Sequence, residues 1–317
     1  MVTRNDVTNA YRFILGREPE GEPAVEAHLE HRDIDALRRH FLNSEEFTQS
    51  IEKVKGEAPA TLGRFTEWET QIVEHDCSPE TLQQMLAKTS QAWNQFGEDA
   101  PHWSVLVNDD FLPETIDQNI DRFYASGIGD VHFCLNSLRR AGIPADRFER
   151  VLDFGCGVGR LSLALAQLAD HVTAIDVSAG HLKLARERAA LNGVDNVDWV
   201  QLRDLRALDQ FSGYDLVLSL IVLQHNPPPV MAYAFRALLR ALRSGGVAII
   251  QIPTFMVGRF EVAEYLANPP SGMEMHSLPQ AVVYQIMDEE GCRPIEVRED
   301  NAIGPMGVSQ NFTIMKK

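Results

Sequence analysis

Cysteine is scarce in this chain: four in 317 residues, at Cys77, Cys134, Cys156 and Cys292, with no C-x-x-C spacing. Such a scatter argues against a disulfide framework and for reduced thiols in a cytoplasmic protein. Basic residues are also in deficit, 29 against 45 acidic ones, for a net charge of −16. No Lys/Arg cluster supplies the positive stripe that a phosphate backbone requires, so nucleic acid is not an expected partner. No apolar run approaches the length of a membrane span, and the polar N-terminus lacks a signal-peptide pattern. Repeats and low-complexity tracts are missing too. No His/Asp/Glu set has a recognisable metal-ligand spacing, and no metal is expected. What remains is ample apolar material, 44% of residues, in a length that allows two domains.

The most informative stretch is Val151-Leu152-Asp153-Phe154-Gly155-Cys156-Gly157-Val158-Gly159. An apolar, β-prone start gives way to three alternating glycines, and Leu161, Leu163, Ala164, Leu165 and Leu168 then recur at helical spacing. This pattern predicts a buried strand, a tight glycine turn and a helix start. Without a Cβ in the way, a ligand can approach such a backbone closely. A dinucleotide fingerprint would need Gly or Ala at 160 or 162, where the chain has Arg160 and Ser162. The charge of Asp153 would oppose a pyrophosphate and suits a cationic ligand such as S-adenosylmethionine. Asp176 follows the apolar run Val172-Thr173-Ala174-Ile175, at a strand end where a carboxylate accepts from ribose hydroxyls. Asp204, after Trp199-Val200-Gln201-Leu202, is placed to take an adenine amino group.

Together with Tyr214-Asp215-Leu216-Val217, these residues closely resemble the class I S-adenosylmethionine-dependent methyltransferases over residues 141–317. The resemblance implies an α/β, Rossmann-like seven-stranded sheet, mostly parallel with the last strand antiparallel. It implies S-adenosyl-L-methionine as cofactor, held by Asp153, Gly155, Gly157, Gly159, Asp176, Val177, Asp204 and Leu205. In related enzymes a segment upstream of the glycine turn often closes over the cofactor. Ser126 and Gly127 would then hold its methionine carboxylate, and Tyr124 would touch it, although Phe123 and Tyr124 fit core packing equally well.

An N-terminal all-α extension precedes that domain. Val7, Ala10, Tyr11, Ile14 and Leu15 share a helical face, Gly16 is a natural stop, and Leu29, Ile34, Leu37, Phe41 and Leu42 supply further apolar faces. The runs Ala10–Pro19 and Phe41–Phe47 resemble a small bacterial helical domain of unknown function, similar to phycobilisome-linker modules and often found with glycan-modifying enzymes. Packing or homo-oligomerisation suits it better than chemistry. Gly56 and Pro59 mark a linker over 51–61. The expected division is a helical module over 1–55, a helical linker and cap over 56–140, and the catalytic domain over 141–317.

Methyl transfer from a sulfonium is an in-line displacement, and a hydroxyl acceptor must also lose its proton. His225, in the loop after the fourth core strand, is the candidate base; it fits a loop-positioning role as well. A Phe/Met/Gly/Pro-rich insertion over 254–278 is a candidate substrate lid; its Glu274 and His276 are second candidates for the base and for substrate contact, and His102 and Trp103, in a loop expected at 101–106, are further candidates for substrate contact. The reading is an O-methyltransferase of a sugar, glycan precursor or other small hydroxylated metabolite. An N-methyltransferase of a small amine, and a catalytically silent cofactor-binding protein that recruits a partner, remain open.

Overall fold

The computed structural model describes residues 2–15, 17–49, 71–269, 273–300 and 302–317. The chain divides into two compact units, Met1–Trp68 and Glu69–Lys317. Gly16 and the 51–61 linker lie outside the described residues.

The first unit holds helices Arg4–Ala10, Glu22–Glu26 and Ile34–Leu42. Thr3 and Asp6 form a reciprocal capping box at the first, and the Asp33 side chain accepts from the Ala36 amide at the third. Val7, Tyr11, Val25, Leu37 and Phe41 close a small core.

The second unit is built on a seven-stranded sheet. Its strands are β2 (Phe148–Phe154), β3 (Ala169–Asp176), β4 (Val197–Gln201), β5 (Tyr214–Ser219), β6 (Leu242–Met256), β8 (Cys292–Asp300) and β9 (Gly307–Lys316). They are ordered β4-β3-β2-β5-β6-β9-β8, and only β9 runs antiparallel to its neighbours. A short pair, β1 (Ile72–Val73) with β7 (Arg259–Phe260), stands apart from it.

The central strands are apolar on both faces because helices cover both. Leu152, Val217, Ala248 and Ile250 face one core, shared with Phe235 and Leu238 of helix Pro228–Ala241. Val151, Leu216, Val247 and Ile249 face the other, with Leu135 and Leu138 of helix Ile116–Arg140. Asp215, at the start of β5, accepts from the amides of Glu149 (2.8 Å) and Arg150 (2.7 Å) and pairs with Arg243. Partial burial would raise its pKa, but these donors hold it below the usual carboxylate value.

Two expectations about local structure change. Residues 101–105 form a helical turn rather than a loop, because Pro101 occupies its first position, where no amide is needed. The apolar stripe Ile116, Ile120, Phe123 and Tyr124 predicts a helix that ends at Ser126-Gly127, but the helix continues to Arg140. Its true end is a Schellman cap: Gly142 sits at φ +71°, with Ile143 donating to the Leu138 carbonyl and Gly142 to that of Arg139.

Candidate functional site

Strand order reverses between β2 and β5, the place where open α/β sheets bind ligands at their carboxyl ends. The glycine turn leaves β2 there. Gly155 and Gly157 take positive φ, +78° and +52°, and both are crowded. A Cβ on Gly155 would lie 2.2 Å from Val222 Cγ2, and one on Gly157 2.6 Å from Val105 Cγ2. Backbone therefore forms the wall at both positions. Gly159, at φ +82°, starts helix Arg160–Leu165, and a Cβ there would meet the Trp199 ring at 2.7 Å.

Asp176 is anchored before any ligand arrives. Its Oδ2 accepts from the Gly157 amide and its Oδ1 from the Ser178 amide, each at 2.8 Å. A carboxylate oxygen can accept two hydrogen bonds, so each keeps one acceptor site for an incoming hydroxyl. Ser178 in turn caps helix Ala179–Leu191.

A cavity of about 550 Å³ opens from this turn, lined by Gly155, Gly157, Asp176, Val177, Leu205 and His225 among others. Its walls are largely apolar, including Leu86, Trp93, Val105, Leu161, Met273 and Met275. Arg160 adds a buried cation that bonds Asp130 (2.5 Å) and Ser126 Oγ (3.0 Å).

At one end of the cavity a chain of hydrogen bonds runs from β6 to the segment after residue 272. Gln251 Nε2 donates to Ser309 Oγ (2.5 Å) and to Gln224 Oε1 (3.0 Å). Gln224 Nε2 lies 3.2 Å from His225 Nε2, and His225 Nδ1 lies 3.0 Å from the Glu274 carbonyl oxygen. A carbonyl can only accept, so Nδ1 carries the proton and Nε2 is the basic nitrogen. Burial lowers the His225 pKa against the opposing bond to Glu274, which favours the neutral ring. The Gln251 Oε1 accepts from the Ile221 amide (3.1 Å), which holds Ile221 in the left-handed region at φ +58°. That conformation costs a β-branched residue roughly 1–2 kcal/mol.

The family described as methyltransferase domain matches residues 151–246, the span from the glycine turn to the start of β6. The ubiquinone biosynthesis O-methyltransferase of Erwinia tasmaniensis is 42% identical over 82 residues, 26% of this chain and 33% of that protein. The enzyme of the same name from Pseudomonas aeruginosa is 38% identical over 108 residues, 34% of this chain and 44% of that one. The chain thus spans less than half the length of these curated relatives. The magnesium protoporphyrin IX methyltransferase of Synechocystis PCC 6803, solved with bound SAH, shares the fold at a TM-score of 0.51 and 19% identity. That likeness covers 73% of this chain and 100% of the other.

Several residues expected at the site are engaged elsewhere. Asp153 is buried beneath the turn, where it accepts from Ser162 Oγ (2.6 Å), and burial pushes its pKa up to about 6. Asp204 caps the turn that follows it, accepting from the Arg206 amide, and pairs with the Arg206 side chain at 2.7 Å, while the adjacent Leu205 lines the cavity. Ser126 donates to the Phe123 carbonyl within its own helix, and Gly127 serves close packing, since a Cβ there would meet the Arg160 carbonyl oxygen at 2.2 Å. Tyr124 donates to the Val158 carbonyl (3.2 Å) and packs with His102 and Phe123. His102, edge-on to Phe123 at 5.0 Å, is pushed down to about 4 by burial. Neither it nor Trp103 reaches the cavity lining. Glu274 touches His225 through its backbone, while His276 donates its amide to the Gln224 carbonyl (2.8 Å).

Sequence reasoning missed Gln251, Arg160 and His181 as wall residues. His181 belongs to no obvious motif; it lines the cavity with Nε2 2.9 Å from Ser104 Oγ. An apolar-pattern search passes over such residues because their partners lie far along the chain. Among the described residues no helix is long and apolar enough to cross a membrane.

Proposed function

We propose that this chain is an S-adenosylmethionine-dependent methyltransferase that acts on a hydroxyl of a small acceptor with an apolar body. The observation that carries the reading is the pairing, around one cavity, of a side-chain-free turn and a pre-anchored Asp176 with a neutral His225. The cofactor would lie against Gly155 and Gly157, with its ribose hydroxyls on the remaining acceptor sites of Asp176 and its adenine against Val177 and Leu205. When bound, S-adenosylmethionine supplies an electrophilic methyl group on a cationic sulfur. His225 Nε2 then takes the acceptor proton, exchanging its bond from Gln224 for one from the acceptor hydroxyl. Trp93, Leu86, Met273 and Met275 would hold the acceptor body and keep water from the reacting atoms.

Two relatives named as O-methyltransferases support oxygen as the methylated atom. The apolar walls favour an aromatic or otherwise apolar body bearing that hydroxyl over a bare sugar. We place the catalytic domain at residues 141–317, the cap at 56–140 and a helical module at 1–55, in a cytoplasmic protein.

The test is a labelled-methyl screen across hydroxylated aromatics, sugar nucleotides and small amines, with cofactor affinity measured alongside. Methylation of a phenolic or similar hydroxyl, with S-adenosylhomocysteine released in step, is expected. Asp176→Ala should cost on the order of 1.5–3 kcal/mol of cofactor affinity, the scale of a charge-assisted hydrogen bond. Tight cofactor binding with no acceptor turned over would favour a silent binding protein instead.

A further inference from the structure

His28 and His31 lie in the connection after helix Glu22–Glu26, and His40 lies in the last turn of helix Ile34–Leu42. Their sequence intervals, three and nine residues, match no familiar metal motif. The fold nonetheless gathers them: one ring nitrogen from each lies within 4.8 Å of the others. His28 stacks on His31 at 5.7 Å and 9°, and His40 lies 4.9 Å from both rings. The cluster is seated on the core of its unit, because His28 packs against Phe41 at 5.0 Å and Tyr11 at 5.9 Å. No hydrogen bond among the described residues engages any of these ring nitrogens.

Three imidazoles crowded in this way cannot all be charged without mutual repulsion. Partial burial, then the neighbouring His40 and His31, hold His28 below its ordinary pKa. A neutral imidazole carries one lone pair, and metal ligation requires that neutral form. Two nitrogens bound to one tetrahedral ion at 2.0–2.1 Å stand roughly 3.3 Å apart, so side-chain rotation alone closes the set. All-imidazole donors suit zinc, copper and nickel, while magnesium and calcium prefer oxygen.

We propose that His28, His31 and His40 form a three-imidazole site for a divalent transition-metal ion, zinc first, which clips the 27–33 connection to helix Ile34–Leu42. The fourth coordination position faces solvent, where a water completes the tetrahedron. The net charge of −16 favours cation uptake from solution. This site is independent of the methyltransferase chemistry and stands or falls separately from it.

The test uses the full, untagged chain titrated with Zn²⁺ against a chromophoric chelator, with Co²⁺ as a spectroscopic probe. One ion per chain is expected, with a visible Co²⁺ band of tetrahedral type and a rise in melting temperature on Zn²⁺ addition. His31→Ala and His40→Gln should each weaken Zn²⁺ binding by at least about tenfold, the scale set by removing a mere outer-shell partner, and abolish the Co²⁺ band. His40 is exposed, so His40→Gln keeps the fold, which circular dichroism verifies. His171→Ala, at an exposed histidine in the other unit, should leave binding unchanged. A parent chain without stoichiometric Zn²⁺ binding overturns the proposal. So do cluster variants that bind like the parent, or a His171 variant that loses as much.

Discussion

His225 has both ring nitrogens engaged before an acceptor arrives, one donating to Glu274 and one accepting from Gln224. The neutral amide of Gln224 is a partner that an acceptor hydroxyl can displace at little cost. His225→Ala should therefore lower the single-turnover rate by roughly 10²–10⁴-fold with cofactor affinity nearly unchanged. The pH profile carries a sign. Burial lowers the His225 pKa from its ordinary 6.5, and the basic form is the neutral one. The parent rate should be level at neutral pH and fall as pH drops through that lowered value; the fall should vanish in the variant. If His225 only shapes the loop, cofactor affinity falls instead and the profile keeps its form.

Helix Ile116–Arg140 carries two glycines that obey opposite rules. At Gly129 nothing lies within 4 Å of the place a Cβ would take, so Gly129→Ala should raise stability by up to about 1 kcal/mol through helix propensity alone. At Gly127 the same gain is outweighed. The new Cβ would stand 2.2 Å from the Arg160 carbonyl oxygen, which is backbone and cannot rotate away. Gly127→Ala should cost about 1–3 kcal/mol, the range for overpacking. Denaturant midpoints of the two variants check the pair, and similar midpoints would remove the close-packing argument. Cofactor affinity should also drop in Gly127→Ala, because Arg160 starts the helix that follows the glycine turn.

The stability of the whole chain should fall on mild acidification. His102 and His276 are both pushed down to about 4, first by burial; for His276 the neighbouring His225 and Lys88 lower it further. Between that value and the ordinary 6.5, the unfolded chain binds more protons than the folded one, and stability is lost as pH falls through the window. Asp153 acts in the opposite sense. Its pKa, raised by burial to about 6, contributes stability in acid that is lost as pH rises from about 4 to about 6. Two histidines against one carboxyl leave a net loss on acidification. Urea midpoints at pH values of roughly 7, 5.5 and 4.5, which span this window, should decline in that order; a rising series would show that Asp153 dominates.

The glycine turn and the strand-end place of Asp176 were legible in the amino-acid order, and so was the sheet with its one antiparallel strand. Each depends on neighbours within a few positions: a short continuous apolar run sets a strand buried on both faces, and a missing Cβ permits the turn. The direction of a carboxylate is a different matter. Asp204 stands after the expected strand end, yet it caps the following turn and pairs with Arg206. Ser126-Gly127 looked like a helix end, but a close helix contact uses that glycine inside the helix. The cavity walls join Leu86 and Trp93 to Met275, and the histidine cluster joins residues from a turn and a helix end. Local chemistry along the chain determined the elements and the anchor of the site. Packing of distant elements decided what faces what, since side-chain direction and enclosure exist only once those elements meet.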